Sequence, residues 1–327
     1  MKIFKTGFLA ATLAALSFNA LAQSNAAAQN YPNKPIRWVV PYTPGGFTDN
    51  VTRMVTAKVQ TILGQPIIIE NKPGANSIIG ADFVAKAAPD GYTILTVITA
   101  HAANATLYKG KLPFDHKALV PVSLAAISPL ILTTSKNFPV KNVGELIAYA
   151  KANPGKVAYG SSGVGAAAHL TSELLEATAG IDMIHVPYKG TAPALADLMA
   201  NNIQVLVDVP SSMMPHVNGG KVNALAMFSS KRLPSAPNVP TISESGGPPI
   251  ESSSWVMFFA PPGTPAPIVD KLSKAVAEAL KSPEIVKRFT DLGIVPMGLD
   301  PAETGKFLAT EVDKWGKVIT TAKVTAQ

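Results

Sequence analysis

The chain has 327 residues, no cysteine, 47% hydrophobic residues and a formal net charge of +7. This composition is typical of a globular protein with a sizeable core, and it excludes a disordered chain, a disulfide-stapled miniprotein and a cysteine-based zinc site. The lysines are scattered and are not interleaved with aromatic residues, so the positive charge does not indicate a nucleic-acid-binding protein.

The first 22 residues have the pattern of a secretory signal peptide. Lys2 and Lys5 precede a short apolar run, and Ala20-Leu21-Ala22 has the small-residue spacing of a cleavage site. The run is too short to span a bilayer, so we expect cleavage near Ala22 and a soluble periplasmic protein. A retained N-terminal anchor is the alternative. Loss of the two lysines lowers the formal charge from +7 to +5.

Strand and helix patterns then alternate along the chain. In the first part we predict strands and helices at 36–40, 48–62, 67–70, 77–87 and 92–98. A second series of predicted elements covers 130–133, a helix capped by Asn142, 157–159, 166–179, 183–186, 191–200, 203–207 and 222–227. A proline-rich connection (229–254), a strand (255–260) and three helices (266–280, 283–292, 301–320) follow. The order predicts two α/β units, each with an open, mostly parallel sheet, and a helical tail.

The loop after the first strand has the composition of an anion site. It reads Tyr42-Thr43-Pro44-Gly45-Gly46-Phe47-Thr48-Asp49. The two glycines let the backbone approach a ligand, and the next helix begins at once with free N–H groups at its positive end. Phe47 is placed to stack on a ligand. A plain turn, capped by Thr48 or Asp49 and with Phe47 in the core, fits the sequence equally well.

The segment Gly160–Gly165 repeats this arrangement before the helix that starts at Ala166. Ser161 and Ser162 add hydroxyl groups, and Gly163 and Gly165 add backbone freedom. The segment is neither a P-loop nor a nucleophile elbow, because no Gly-Lys-Ser/Thr follows and Val164 stands where the elbow needs glycine. Two such loops on one cleft predict a site that holds both ends of a dianion.

Four other polar residues are candidate ligand contacts by position: Asn76, His101, His169 and Asp208. Each has a structural alternative, since Asn76 and Asp208 can cap helices and both histidines can be satisfied within the fold. No histidine pair has metal-ligand spacing, so we expect neither a metal nor a cofactor. No arginine lies in either glycine loop, so backbone N–H groups, hydroxyls and water are expected to meet the anion.

Several short segments, weak alone but specific in their order and spacing, carry a resemblance to a known family. They are Tyr31-Pro32, Pro35-Ile36, Pro41–Asp49, Glu70–Ala75, Ala88–Thr93, Gly160–Gly165, His185–Gly190, Pro193–Leu195, Pro240–Ile242 and Glu244–Gly246. The mature chain resembles the Bug-type periplasmic solute-binding proteins of tripartite tricarboxylate transporters.

The resemblance implies an α/β, type II periplasmic-binding-protein fold with two lobes of mixed sheets flanked by helices and a ligand cleft between them. It implies two chain crossings, which gives lobe 1 as 23–125 plus 230–327 and lobe 2 as 126–229. The loops at 44–46 and 161–165 would grip a carboxylate, partly through water. Tyr42, Thr43 and Tyr188 join the expected ligand contacts.

Two departures from the family pattern alter the pocket wall. Phe47 stands where the family often has a small residue, and Asn76-Ser77-Ile78 replaces a more glycine-rich stretch. The aromatic side chain favours an aromatic carboxylate over a small aliphatic diacid, and both classes stay open.

We therefore expect a monomeric binding protein, not an enzyme, that captures a small carboxylate by closure of two lobes and delivers it to a membrane permease. Two alternatives remain at the level of sequence. The closed protein is read by a sensor kinase without a transporter of its own, or the chain is an exported serine hydrolase that uses Ser161 or Ser162.

Overall fold

A computed structural model describes residues 29–326. The predicted signal peptide and its cleavage site near Ala22 lie outside the described residues. In chain order the elements are β1 (Ile36–Val40), α1 (Phe47–Leu63), β2 (Ile67–Asn71), a 3-10 turn (Ala75–Ser77), α2 (Ile78–Ala85), β3 (Thr93–Val97), α3 (Thr99–Leu107), β4 (Val120–Pro129), β5 (Ile131–Ser135), α4 (Val143–Ala152), β6 (Ala158–Ser161), α5 (Ala167–Ala179), β7 (Ile184–Pro187), α6 (Thr191–Met199), β8 (Val205–Asp208), α7 (Pro210–Asn218), β9 (Val222–Met227), β10 (Ser253–Ala260), α8 (Ala266–Leu280), α9 (Pro283–Asp291), β11 (Val295–Pro296) and α10 (Pro301–Thr321).

Two mixed sheets, each flanked by helices, build two lobes. The first has six strands in the order β11-β4-β10-β3-β1-β2, with β1 parallel to β2 and β3 and with β10 antiparallel to β3 and β4. The second has five strands in the order β7-β6-β8-β5-β9, with β6 parallel to β7 and β8 and with β5 antiparallel to β8 and β9.

Each sheet buries both of its faces. In the first lobe Trp38 and Phe258 point to the side covered by α1 and α8, whereas Trp255 and Phe259 point to the side covered by α3 and α10. Strands with two buried faces are apolar at nearly every position, as in Val39-Val40 and Val256–Ala260. The strands thus form a rigid frame, and variable chemistry is left to the loops at their ends.

The chain crosses between the lobes twice, at Leu130 and at Ser252. Leu130 N–H donates to Ser252 O at 3.1 Å, Phe228 N–H donates to Leu130 O at 2.8 Å, and Ser252 N–H donates to Phe228 O at 3.0 Å. The proline-rich segment 229–250 packs on the second lobe, where it buries Leu233 and Ile242. We therefore propose lobe boundaries at Leu130 and Ser252, in place of the sequence-based boundaries at 125 and 230.

Several elements differ from the sequence-based predictions. Helix α3, strand β4 and the short β11 were not predicted as such, and α1 begins after Gly46 rather than at Thr48 or Asp49. Strand β4 contains Pro121, which lies at a register irregularity opposite Phe259, where a missing N–H is tolerated. No helix among residues 29–326 is both long and apolar enough to cross a membrane.

Candidate functional site

Both sheets direct the carboxyl ends of their parallel strands at the boundary between the lobes. Because β10 is antiparallel to both β3 and β4, β4 runs parallel to β3 and leaves the first sheet at its carboxyl edge. The chain continues as β5, whose first residue Ile131 pairs with Asp208, the last residue of β8. The loops after β1, β2 and β3 therefore face those after β6, β7 and β8 across one cleft, which is where open α/β sheets bind ligands.

The buried carboxylate of Asp49 stabilises the first glycine loop through hydrogen bonds. It accepts hydrogen bonds from Gly45 N–H at 2.9 Å, Arg53 Nε at 2.8 Å and Asn71 Nδ2 at 2.9 Å. Burial acts to raise the pKa of Asp49, but these donors outweigh it and hold the pKa below its usual value. Asp49 is thus already neutralised by Arg53, and it shapes the loop instead of reaching into the cleft.

Three buried hydroxyl groups lie at the carboxyl edge of the first sheet. Tyr42 follows β1, Ser77 follows β2 and Thr99 follows β3. No well-formed hydrogen bond reaches their oxygens among the described residues, although the Tyr42 hydroxyl lies beside Ser77 and the backbone of Ile98. Burial raises the pKa of Tyr42, so its hydroxyl stays a neutral donor. An unpaired buried hydroxyl costs free energy, and a carboxylate oxygen is a suitable partner for such donors.

The turn before α2 is held in an unfavourable backbone conformation. Ala75, Asn76 and Ser77 have φ angles of 44°, 51° and 74°. Left-handed non-glycine residues store about 1–3 kcal/mol each, and such strain concentrates at functional sites. Asn76 Nδ2 donates to Asn104 Oδ1 at 2.7 Å, and Asn104 Nδ2 donates to Asn76 O at 2.8 Å. Asn76 therefore ties the turn to α3, and neither it nor Ser77 caps α2 through its side chain.

The second glycine loop is also fixed from within the protein. Ser161 is fully buried, its Oγ lies 2.6 Å from His185 Nε2, and Gly163 N–H donates to the same Oγ at 3.3 Å. Gly165 N–H donates to His169 Nδ1 at 3.1 Å. His169 thus lies behind the loop rather than in the cleft, and Ser162, which is half-buried, is on the more open part of the loop.

Two other predicted residues lie at the second edge of the cleft. The Tyr188 hydroxyl donates to Asp197 Oδ2 at 2.6 Å, and burial together with Asp197 raises the pKa of Tyr188 to about 12. Asp208 is buried and accepts from Thr191 Oγ1 at 2.6 Å and from Val209 N–H at 2.7 Å. Burial raises the pKa of Asp208. Because its oxygens act as acceptors here, this carboxyl suits a hydroxyl or amine of a ligand.

His101 lies in the first turn of α3, two residues after Thr99. It is 2% exposed, and its ring centroid is 5.7 Å from that of Phe259 and 6.5 Å from that of Phe114. Burial, followed by the nearby His116, lowers the pKa of His101 to about 4. The ring packs within the first lobe, but its Nε2 is buried without a hydrogen-bond partner among the described residues, so His101 stays a proposed ligand contact.

The two loops meet across the cleft. Phe47 is half-buried and packs against the cores of both lobes. A Cβ atom placed on Gly165 would lie 2.7 Å from Leu107 Cδ1 and 3.3 Å from Asn76 Nδ2, both in the first lobe. With its φ of +77°, Gly165 is a position where only glycine allows this close approach.

The helices that open on the cleft share one property. Helices α1, α2, α3, α5, α6 and α7 all begin without a side-chain cap. Among the other helices, Asn142 caps α4 and Asp300 caps α10, whereas α8 and α9 also have no side-chain cap and have proline at their starts. The first-turn N–H groups and dipoles of the helices that open on the cleft are therefore free to attract an anion. Within residues 29–326, no three His, Asp or Glu side chains come together as a metal site.

Sequence reasoning did not nominate Ser77, Thr99, His185 or Glu173 as parts of the site. Ser77 and Thr99 carried a usable signal, because polar residues just after buried strands lie at the carboxyl edge. His185 and Glu173 carried none, since Ser161 and His185 are 24 residues apart and only the fold brings them together.

Comparison with known proteins agrees with this architecture. A family model described as "Tripartite tricarboxylate transporter family receptor" matches residues 51–324. BugT of Bordetella pertussis is 36% identical over 294 residues, which covers 89% of this chain and 90% of BugT. A solved R. palustris protein with adipate superposes with a TM-score of 0.84 at 34% identity, over 90% of this chain and 99% of that chain. MatC from Rhodopseudomonas palustris with bound malate gives a TM-score of 0.79 at 35% identity, over 88% and 100%.

These findings confirm the predicted two-lobed α/β fold and the resemblance to Bug proteins. The family and the matching structures are solute-binding proteins and not enzymes, which sets aside the hydrolase alternative despite the contact between Ser161 and His185. The receptors of this family are periplasmic. The chain therefore belongs to the receptor family of tripartite tricarboxylate transporters, which includes the Bug proteins.

Proposed function

We propose that the protein captures a small dicarboxylate between its lobes and delivers it to the membrane permease of a tripartite tricarboxylate transporter. The observation that carries the proposal is that α1 and α5 begin without side-chain caps, at Gly46 and Ala166, on opposite walls of one cleft. Each helix start offers N–H donors and partial positive charge to one carboxylate.

Hydroxyl groups complete the proposed contacts. On the first wall the buried hydroxyls of Tyr42, Ser77 and Thr99 would supply donors beside the backbone at Gly46. On the second wall Ser162 and the first-turn N–H groups of α5 would contact the other carboxylate, since the Gly163 N–H already donates to Ser161 Oγ. Thr43, Asn76, Tyr188 and Asp208 would line the sides, where Asp208 suits a ligand hydroxyl.

The identity of the ligand rests on two considerations. The related structures with adipate and malate favour aliphatic dicarboxylates. Phe47 was the reason to consider aromatic carboxylates, but its ring packs against the cores of both lobes, which leaves less of it for a ligand. We therefore rank aliphatic dicarboxylates first and keep aromatic carboxylates as the alternative class.

Ligand capture would proceed by hinge closure of a monomer. The mature chain, cleaved after Ala22 in the periplasm, would rotate its lobes about the crossings at Leu130 and Ser252. Closure buries the ligand and creates a surface that the permease recognises.

Calorimetric melting of the mature chain with adipate, malate, citrate, benzoate and phthalate tests the proposal. A ligand that binds only the folded state raises the melting temperature, and we expect adipate or malate to give the largest rise. Titration calorimetry then gives the affinity for that compound.

A pair of substitutions at the start of α5 tests the proposed mode of binding. Ala167→Pro removes one N–H, and the extended backbone of Ala166 (ψ 155°) accepts a following proline. Ala167→Val adds as many carbon atoms but keeps the N–H. We expect a loss of affinity of at least about tenfold for proline and much less for valine. Equal affinities, or no stabilisation by any of the five compounds, would count against the proposal.

A further inference from the structure

A stack of three rings, of which Tyr159 and His169 are buried and His185 is half-buried, lies directly beneath the second glycine loop. His169 of α5 and His185 of β7 have ring centroids 3.8 Å apart and an interplanar angle of 11°. The ring centroid of Tyr159 of β6 is 4.9 Å from that of His185 and 6.4 Å from that of His169, with both ring planes within about 21° of parallel. Partial burial and the adjacent His169 ring disfavour a proton on His185 and lower its pKa.

Hydrogen bonds determine which atoms of His169 carry a proton. Gly165 N–H donates to Nδ1 at 3.1 Å, so Nδ1 must be an acceptor. The proton of the neutral ring is then on Nε2, which faces Glu173 Oε1 at 3.4 Å. The Tyr159 hydroxyl donates to the same oxygen at 2.5 Å. Glu173 thereby selects the tautomer of His169 that carries its proton on Nε2. A carboxylate fixes the tautomer of a metal-bound histidine in the same way, through the ring nitrogen that does not bind the metal.

The second histidine acts on the other end of the loop. Its Nε2 lies 2.6 Å from Ser161 Oγ, and that oxygen also contacts Gly163 through the Gly163 N–H at 3.3 Å. The two rings therefore hold the loop at Ser161 and at Gly165, on either side of the stretch proposed to contact the ligand.

We propose that His169, with its tautomer selected by Glu173, is a positioning residue that accepts the Gly165 N–H and thereby sets the conformation of the 161–165 loop for ligand binding. The proposal rests on the proposed function for its effect on affinity, but its structural part holds for the protein without ligand. Because the Gly165 N–H is used by His169, the ligand is met by the other donors of the loop and of α5.

The charges around the stack agree with this role. The titratable groups that face it are Tyr159, Glu173 and His185, with Glu176 and Asp182 beyond them. Burial and then His169 lower the pKa of His185 to about 4. Burial acts to raise the pKa of Glu173, but hydrogen bonds from His169 and Tyr159 outweigh it and lower that pKa. The stack therefore contains an ionised Glu173 next to a neutral His185 at pH 7.

Two substitutions separate hydrogen-bond acceptance from packing. His169→Asn places an amide oxygen near the position of Nδ1, whereas His169→Leu keeps bulk and loses the acceptor. Ser172→Ala is the control, because Ser172 is buried on the same helix and bonds only to Ala168 O.

The first measurement is exchange of the Gly165 amide proton, followed by NMR on the ligand-free, mature ¹⁵N-labelled protein. We expect exchange to accelerate at least about tenfold in His169→Leu and to change little in His169→Asn and Ser172→Ala. The ¹⁵N shifts of wild-type His169 should identify Nδ1 as the unprotonated nitrogen. If His169→Leu does not fold, a protonated Nδ1 in the wild-type protein by itself overturns the proposal.

The second measurement is the affinity for adipate and malate. We expect His169→Leu to bind at least about tenfold more weakly and His169→Asn to recover most of the affinity. Equal losses in both variants would show that ring packing, not acceptance of the Gly165 N–H, matters, and would overturn the proposal. If the wild-type protein binds neither probe, the proposed function fails, while the exchange data still decide the role of His169.

Discussion

Asp49 combines almost complete burial with full hydrogen bonding. Its side chain is 2% exposed and pairs with Arg53 one helical turn later at 2.8 Å. The same carboxylate also accepts the Gly45 N–H, so a single residue links the start of α1 to the glycine loop. A buried, fully bonded carboxylate contributes more to stability than an exposed ion pair does.

We expect Asp49→Asn to lower the free energy of unfolding by about 1–2 kcal/mol at pH 7. Since the folded-state pKa of Asp49 is depressed, its contribution is present above the unfolded pKa and is lost as the pH falls through the folded pKa. The difference between wild type and variant should therefore shrink in acid. Urea denaturation at several pH values measures it.

Asp291→Asn is the matched control for Asp49. It breaks the Lys287–Asp291 pair, which has the same four-residue spacing but 76% and 49% exposed side chains. We expect a cost within about 0.5 kcal/mol. A cost equal to that of Asp49→Asn would contradict our account of the loop.

Sequence-based predictions were most accurate where neighbouring residues in the chain determine the backbone conformation. Gly64 ends α1 in a left-handed conformation with φ of 68°, as its position after the apolar pattern predicts. The sequence did not show that neither Thr48 nor Asp49 caps α1. In the folded chain the Asp49 carboxylate accepts hydrogen bonds from Arg53 and Asn71 instead. Side-chain partners distant in sequence are invisible to patterns of local spacing.

The carboxylate of Glu311 links helix α10 to the first sheet through hydrogen bonds. Glu311 Oε2 accepts hydrogen bonds from Trp255 Nε1 of β10 and from Trp315 Nε1, both at 2.8 Å. All three side chains are buried, so loss of the carboxylate would leave two indole N–H groups without a partner.

Glu311→Ala is therefore expected to lower the free energy of unfolding by about 2–4 kcal/mol, as followed by circular dichroism in urea. Lys314→Ala is the control, since Lys314 is more exposed and lies 3.6 Å from the same glutamate. Its cost should stay below about 1 kcal/mol. If the two variants were equally stable, the indole bonds would not be what secures α10.

At the scale of elements, helices with strong boundary signals were predicted nearly to the residue. The prolines at 265, 283 and 301 start α8, α9 and α10. Helix α3 was not predicted because Thr99–Leu107 consists largely of alanine and threonine and has little apolar periodicity. Its position is set by packing against the rest of the first lobe, including Trp315.

The stability of the whole molecule should decline in mild acid. The pKa of His101 is about 4 in the folded protein because of burial, against about 6.5 in an unfolded chain. The unfolded state therefore binds more protons between these values, and stability falls as the pH decreases from 6.5 to 4. His185 has the same sign, whereas burial raises the pKa of Glu176 to about 8, which acts in the opposite direction.

His101→Phe isolates the contribution of this histidine. A phenyl ring fits between Phe114 and Phe259 and cannot take up a proton. We expect wild type to lose up to about 3 kcal/mol relative to the variant between pH 7 and pH 4, measured by denaturation in parallel. Parallel pH profiles for the two proteins would contradict the burial of a neutral imidazole at this position.

The two-lobed plan was predictable because both α/β units and the family segments follow the chain in order. The residues at which the chain passes between the lobes were harder to predict. Leu130 joins β4 to β5 with a single residue, and the proline-rich 229–250 looked like a connection although it buries Leu233 and Ile242 in the second lobe. Lobe membership depends on which core a segment joins, and local composition does not contain that information.

Contacts of helix α5 connect the cleft to a tryptophan of the other lobe. Its first turn holds the Gly165 amide, Thr171 Oγ1 meets Ser252 Oγ at 2.6 Å where the chain crosses, and Leu170 packs in the same cluster as Trp315 of the other lobe. We expect the proposed lobe rotation to change the surroundings of the Trp315 indole. Intrinsic tryptophan fluorescence, to which the buried Trp38 and Trp255 also contribute, should therefore change when ligand is added, without an added dye.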